Sequence, residues 1–272
     1  MKYKLICVDI DGTLACDDKS IPEENKKALR KAYQNGINIA IASGRSVMSI
    51  QSIIQDLNIP CYAICLNGAY IEANQNIIGH HPFSSRQLQK AYEIVEEDEV
   101  HATFSTPSLS IRNHDVSKEW KKQIETGSLK ADYIVAKSKQ EYKQLIDQHQ
   151  DKIVKISILE KESQKYKKIR TDFENLNLFS VVKSDVDYID VTDVNCTKGQ
   201  AVQELANHLN IALENVVCIG DNENDMEMIE IAGLGIVMEN GVQSLKAKAD
   251  FITKDNNHFG VAYAIENYIL NK

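Results

Sequence analysis

Apolar residues along the chain follow two rhythms. Short unbroken runs ("KLICV" ending at Val8, "INIAIA" at Ala42, "CYAICL" at Leu66 and "VVCIG" at Gly220) have the length and composition of strands buried on both faces. Between them lie longer stretches with a helical period, such as "SVMSIQSIIQDL" and "KGQAVQELANHLN". In "SIPEENKKALRKAYQNG", Ser20 and Glu23 stand at capping-box spacing, Pro22 falls in the first turn and Gly36 lies just past the end. Strand, helix, strand, helix, strand predicts right-handed crossovers and a parallel sheet.

The rhythm breaks after "CYAICL". Asn67-Gly68 and the segment 74–76 read as hairpin turns, which a regular βαβ series does not need. Three helical stretches ("SRQLQKAYEIVEE", "KQEYKQLIDQH", "SQKYKKIRTDFENL") then mix with short strands ("HATFS", "LSIR", "KIVKISIL", "FSVVKS"). Beyond "YIDVT" the strand and helix alternation resumes. The expected fold class is α/β: a Rossmann-like parallel sheet formed by residues 1–82 and 185–272, interrupted by an inserted α+β unit over residues 83–184.

Composition narrows the partners. With 272 residues and 43% hydrophobic side chains the chain can bury a large core, and its 4 Pro and 12 Gly are too few for a disordered protein. A formal charge of −8 argues against a surface that neutralises nucleic acid. No run of 18 apolar residues predicts a membrane span, and no charged segment leads into an apolar leader. Six cysteines without a CxxC pair fit a reduced, cytoplasmic protein. A monomer or weak homodimer is expected, since nothing marks an obligate interface.

In an open α/β sheet, ligands bind beyond the carboxyl ends of the strands. Polar residues that follow the apolar runs are therefore the candidates: Asp9 and Asp11 after "KLICV", Ser43 and Gly44 after "INIAIA", Asn67 and Gly68 after "CYAICL", and Asp221 after "VVCIG", with Asp225 four residues on. Lys198 opens the helix after "YIDVT". Carboxylates gathered at one sheet edge repel one another unless a cation lies between them, and hard oxygen ligands call for a hard cation such as magnesium. The lysine, the hydroxyl and the backbone amides around Gly12 and Gly44 could hold phosphate oxygens. Asp9 and Asp11 point to one side of an extended strand, so one can attack phosphorus while the other handles the leaving group's proton.

Each feature alone has an ordinary explanation. An acidic pair can be a turn, Asp221 to Asp225 can cap a helix, and Lys198 can be a solvated lysine in a first helical turn. Adjacent His80 and His81 point opposite ways in an extended segment and read as a linker, not a metal site. The joint occurrence of the candidates at successive strand ends carries the argument.

Taken together, "DIDGTL", "ASGR", the lysine of "TKG" and "GDNENDMEM" resemble the four motifs of the haloacid dehalogenase superfamily, specifically the Cof-type phosphatases with a C2B cap. The resemblance continues through "AGLGIVMENGVQSLKAKADFITKDNNHFGVAYAI" and covers the core, while the inserted unit matches in position and make-up only. It implies that Asp9 is the nucleophile and a magnesium ligand, and that Asp11 is the general acid and base, its backbone carbonyl also touching the metal. It further implies that Ser43 and Lys198 bind the phosphoryl group, Asp221 ligates magnesium, and Asp225 supports the metal shell and the lysine. Asn224 and Arg45 fall near the phosphate or leaving group, and Asn67 and Gly68 match the family's turn beside the site.

The expected function is magnesium-dependent hydrolysis of small phosphate monoesters, sugar phosphates or similar metabolites, through an aspartyl-phosphate. A phosphomutase and a non-enzymatic phosphate sensor are the alternatives. Asp11 speaks against the sensor, because a base beside the nucleophile hydrolyses the intermediate.

Overall fold

The computed structural model describes residues 2–74, 76–126, 132–185 and 187–271. Among them, β1 (Leu5–Val8), β2 (Asn38–Ala42), β3 (Tyr62–Cys65), β4 (Tyr70–Ala73) and β5 (Asn76–His80) open the chain. Next come β6 (His101–Ser105), β7 (Leu109–Arg112), β8 (Asp132–Val135), β9 (Lys155–Leu159), β10 (Phe179–Asp185) and β11 (Tyr188–Asp193), then β12 (Val216–Gly220), β13 (Leu234–Val237) and β14 (Phe251–Ile252). The first sheet runs β14-β13-β12-β1-β2-β3-β4-β5 and the second β10-β11-β9-β6-β7-β8.

The six strands from β14 to β3 are parallel, and β4 and β5 add an antiparallel edge. Alternation along β1 sends Ile6 and Val8 into the core on one face and Leu5 and Cys7 into the core on the other, and all four are buried. Helix Glu23–Gln34 covers the first face with Ala28, Leu29 and Ala32, while helix Lys198–His208 covers the second with Ala201, Val202, Leu205 and Ala206. This double cover is why the central strands read as continuous apolar runs. The Asn67-Gly68 turn does join an antiparallel pair, β3 and β4. Of the second expected turn, Gln75 lies outside the described residues.

One local expectation changes and one holds. The Ser20 capping box does not form: its hydroxyl bonds the neighbouring Asp18 at 2.6 Å, and the helix starts at Glu23 after Pro22. With Pro22 at the N-cap position, Ser20 stays in the preceding loop, where its amide and hydroxyl both donate to Asp18 Oδ1. Gly36, at φ +83°, ends the helix as expected.

The second sheet is antiparallel except for β7 and β8, and packs helices 85–97, 139–148 and 163–175 over its own core around Phe104, Ile156, Phe173 and Val191. Strand β8 and helix Lys118–Glu125 are additions to the sequence reading. The boundary drawn at 184/185 needs correction, since it assigned "YIDVT" to the first sheet. β11 pairs with β9 and β10, because its buried Ile189 and Val191 belong to the second core. The second sheet therefore runs to Asp193.

Candidate active site

The end of β1 delivers Asp9 directly beneath the second sheet, only 5% exposed. Gly12 then turns with φ +81°, a conformation open to glycine, and a Cβ there would overlap the Asp221 carboxylate. The tight turn lets Thr13 reach across to β12's end, where its hydroxyl donates to Asp221 Oδ1 at 2.7 Å.

Lys198 enters from the helix opposite. Thr197 caps that helix through its Oγ1, which accepts from the Gln200 amide, and the lysine, 1% exposed, donates to Asp9 Oδ1 at 2.7 Å and Asp225 Oδ1 at 2.6 Å. Burial works against the ammonium, but Asp225 and Asp9 together raise its pKa, so it stays charged. Asp225 is fully bonded, as its other oxygen accepts from the Asp221 and Asn222 amides at 2.9 and 3.0 Å. It fixes the loop and the lysine.

Asp9, Asp221 and Asp225 bring one carboxylate oxygen each to within 4.8 Å of one another. Burial lifts the Asp221 carboxyl to about 7, with Asp225 adding to the rise, and burial also lifts Asp9 well above the usual range against the pull of Lys198. Three acids facing one ammonium are the donor set that a hard divalent cation fits. The Asp11 side chain stands apart from this group. Its oxygens accept from Arg45 Nε and NH2 at 2.7 Å each and from Lys19 Nζ at 3.1 Å. Burial would raise its carboxyl, yet Arg45 and Lys19 outweigh that and hold it at about 2.

The loops after β2 and β3 are stitched together. Asn67 donates its amide to the Ser43 carbonyl and Leu66 to that of Arg45, at 3.1 and 3.0 Å, while Leu66, Asn67 and Gly68 hold φ of 53°, 58° and 100° in succession. Left-handed backbone at a leucine is strained, so the surroundings must impose it. The Asn67 side chain links three parts: its Nδ2 donates to Asp190 Oδ2 at 2.8 Å and its Oδ1 accepts from Asn224 Nδ2 at 3.0 Å. Ser43, Gly44, Arg45 and Asn224 thus line one cleft with Asp9 and Asp11, of about 1570 Å³, between the two sheets. His81 pairs with Glu204 at 2.8 Å and takes no part in this group.

The sequence reading missed the second sheet's contribution. Lys155, 7% exposed, donates to the Gly44 carbonyl at 2.8 Å and to Asp190 at 2.9 Å, and Ser157 donates to the other Asp190 oxygen at 2.7 Å. Nothing in a strand such as "KISIL" distinguishes a lysine that docks onto another sheet from one that faces water. Arg170 likewise reaches from helix 163–175 to Glu223, at 2.6 Å, beside the Asp221 loop.

Acids at the ends of adjacent parallel strands, clamped by a buried lysine under an inserted sheet, define a capped α/β hydrolase. The model of the haloacid dehalogenase-like hydrolases matches residues 6–265, and the chain belongs to that family. It is 28% identical over 268 residues to the 5-amino-6-(5-phospho-D-ribitylamino)uracil phosphatase YcsE of Bacillus subtilis, covering 98% of this chain and 96% of that one. A solved haloacid dehalogenase-like hydrolase from B. subtilis superposes with a TM-score of 0.89 at 25% identity, over 98% of this chain and 100% of the other. The subclass IIB sugar phosphatase BT4131 shares the fold, with a TM-score of 0.82 at 23% identity, covering 98% and 99%. The chain is an enzyme of the phosphatase kind, and no described helix is long and apolar enough to cross a membrane.

Proposed function

We propose that the protein is a magnesium-dependent phosphomonoesterase that hydrolyses small phosphorylated metabolites, sugar or polyol phosphates among them, through an aspartyl-phosphate on Asp9. The observation that carries this is the buried Lys198 ammonium shared by Asp9 and Asp225 at 2.7 and 2.6 Å, with Asp221 alongside. Asp9 and Asp221 would hold the magnesium, which would offset their charge and polarise a phosphoryl oxygen when bound.

Lys198 occupies one Asp9 oxygen and leaves the other to attack phosphorus. The new Asp9 O–P bond forms as the P–O bond to the leaving group breaks, and Asp11 supplies the proton that the leaving oxygen needs. Asp11 then takes a proton from water as that water attacks phosphorus, releasing inorganic phosphate and restoring Asp9. Ser43 and the amides around Gly12 and Gly44 hold the phosphoryl oxygens in both halves. While Arg45 grips Asp11, the carboxyl is too acidic to stay protonated at neutral pH. Arg45 and Lys19 both hold it in the ionised form, the form that takes the proton from water in the second half.

The test is release of inorganic phosphate from a panel of sugar phosphates, polyol phosphates, nucleotides and pyridoxal phosphate, with magnesium and with chelator. Metal-dependent release concentrated on sugar or polyol phosphates is expected. Isomer conversion without net release would replace this reading with a mutase, and no turnover of any compound would sink it.

A further inference from the structure

The turn 12–15, just past Asp11, is held from outside by three asparagines. Asn240 Nδ2 donates to the Gly12 carbonyl at 2.8 Å, Asn25 Nδ2 to that of Leu14 at 3.1 Å and Asn256 Nδ2 to that of Ala15 at 3.1 Å. All three connect the turn to the stretch 256–262. Asn25 Oδ1 accepts from the Ala262 amide at 3.0 Å, Asn240 Oδ1 accepts from the Asn256 amide at 3.1 Å, and Asn256 itself belongs to the stretch. Asn25 and Asn256 are buried, whereas Asn240 is exposed.

Gly12 is the soft point of this turn. A Cβ there would overlap the Asp221 carboxylate, so the position calls for glycine, which brings the widest freedom in φ and ψ. Yet its amide is among the donors proposed to hold the phosphoryl oxygens, and a donor aimed at developing charge works best when it needs no reorganisation. The Gly12–Thr13 peptide is pinned at both ends: its N–H donates to the Ile10 carbonyl at 3.2 Å and its C=O accepts from Asn240. The Thr13 hydroxyl adds a third anchor on Asp221. Together these bonds oppose the rotation about Gly12 that would swing its amide off the site.

We infer that Asn240, backed by Asn256, is a positioning residue for phosphoryl binding: it holds the Gly12 peptide so that the Gly12 amide stays aimed at the phosphoryl oxygens. This rests on the phosphatase reading of the same site and deepens it, since Asn240 acts through Gly12 and not on the substrate. Asn257 supplies an internal control. It bridges the same two segments, its Nδ2 donating to Asp17 Oδ2 at 3.0 Å and its Oδ1 accepting from the Asp17 amide at 3.2 Å, but it grips the chain beyond the turn.

The test compares Asn240→Ala, Asn240→Gln and Asn257→Ala with the native chain, all with magnesium. It reads kcat and KM for the best substrate of the panel, the constant for competitive inhibition by inorganic phosphate, and Tm. Asn240→Ala should raise both KM and the inhibition constant by roughly 3-fold to 10-fold, the worth of one hydrogen bond, with little change in Tm because the side chain is exposed. Asn240→Gln keeps the donor and should recover part of both constants, and Asn257→Ala should leave both unchanged. A merely structural role would lower Tm and the yield of active enzyme, hence kcat, without moving either constant. Unchanged KM and inhibition constant in Asn240→Ala, or an equal rise in Asn257→Ala, overturns the inference while leaving hydrolysis intact. No release from any compound of the panel overturns the phosphatase reading, and the inference with it.

Discussion

Two buried lysines invite comparison. Lys198 lies under the ends of β1 and β12 and donates to two carboxylates, with a third close by. Lys155 projects from β9 and donates to one carboxylate and one backbone carbonyl. Both are nearly excluded from water, at 1% and 7% exposure. Around Lys198 three acids face a single ammonium, an imbalance that costs stability unless a cation or substrate chemistry makes use of it. Around Lys155 the charges balance, and Ser157 and Asn67 satisfy the remaining Asp190 capacity. Surplus charge marks the proposed reacting centre, and balanced charge marks a fastener between the two sheets.

The comparison breaks most directly at Asp9, the proposed nucleophile. Asp9→Asn should lower phosphate release by roughly 10⁴-fold or more, and Asp11→Asn by roughly 10²–10⁴-fold. Near-normal turnover of either variant would remove the distinction between centre and fastener.

Stability separates the lysines next. Lys198→Met strands Asp9 and Asp225 without their ammonium and should cost about 3–5 kcal/mol. Lys155→Met leaves Asp190 with two of its hydrogen bonds, so about 1–3 kcal/mol is expected. Adding Asp190→Asn should recover part of the second loss but has no counterpart at Lys198. Urea unfolding measures both, and equal losses would show that charge balance does not distinguish them.

A smaller effect is expected at the other link between the sheets. Arg170 and Glu223 are partly exposed, and their pairing at 2.6 Å is shared with Glu174. Arg170→Gln should therefore change stability by no more than about 1 kcal/mol and act chiefly on KM, since the pair ties the second sheet's helix to the loop beside Asp221. A large drop in kcat would instead tie it to the chemistry.

The subtlest test is at the far end of the cleft. Burial, then the charge of Arg112, holds the His114 imidazole at about 4 against its ordinary 6.5. The folded state binds fewer protons there than the unfolded chain between those values. Its contribution is complete above pH 6.5 and is lost as pH falls through 4. His114→Gln should flatten that part of the Tm profile, and an unchanged slope would mean that the ring is not held neutral.

The gathering of the candidate residues at one sheet edge was legible because they follow apolar runs at fixed offsets. Asp9, Ser43, Asn67 and Asp221 all sit where a parallel sheet must present them, and Lys198 opens a helix whose cap and apolar face are both written locally. Thr13 was overlooked because its partner lies 208 residues away. The Ser20 cap failed because the helix begins only at Glu23, behind Pro22, which leaves Ser20 in the preceding loop, where its hydroxyl donates to Asp18.

By itself the sequence determined the alternation of the core, the strand ends and the chemical types gathered there, because periodicity and turn chemistry act over a few residues. Only tertiary structure decided that β11 joins the second sheet, that Lys155 and Asp190 dock onto Gly44 and Asn67, and that Arg45 holds Asp11. Those outcomes depend on pairings between distant strands and on which face each presents to the cleft. A polar residue on a strand looks the same in sequence whether it meets water, substrate or another sheet.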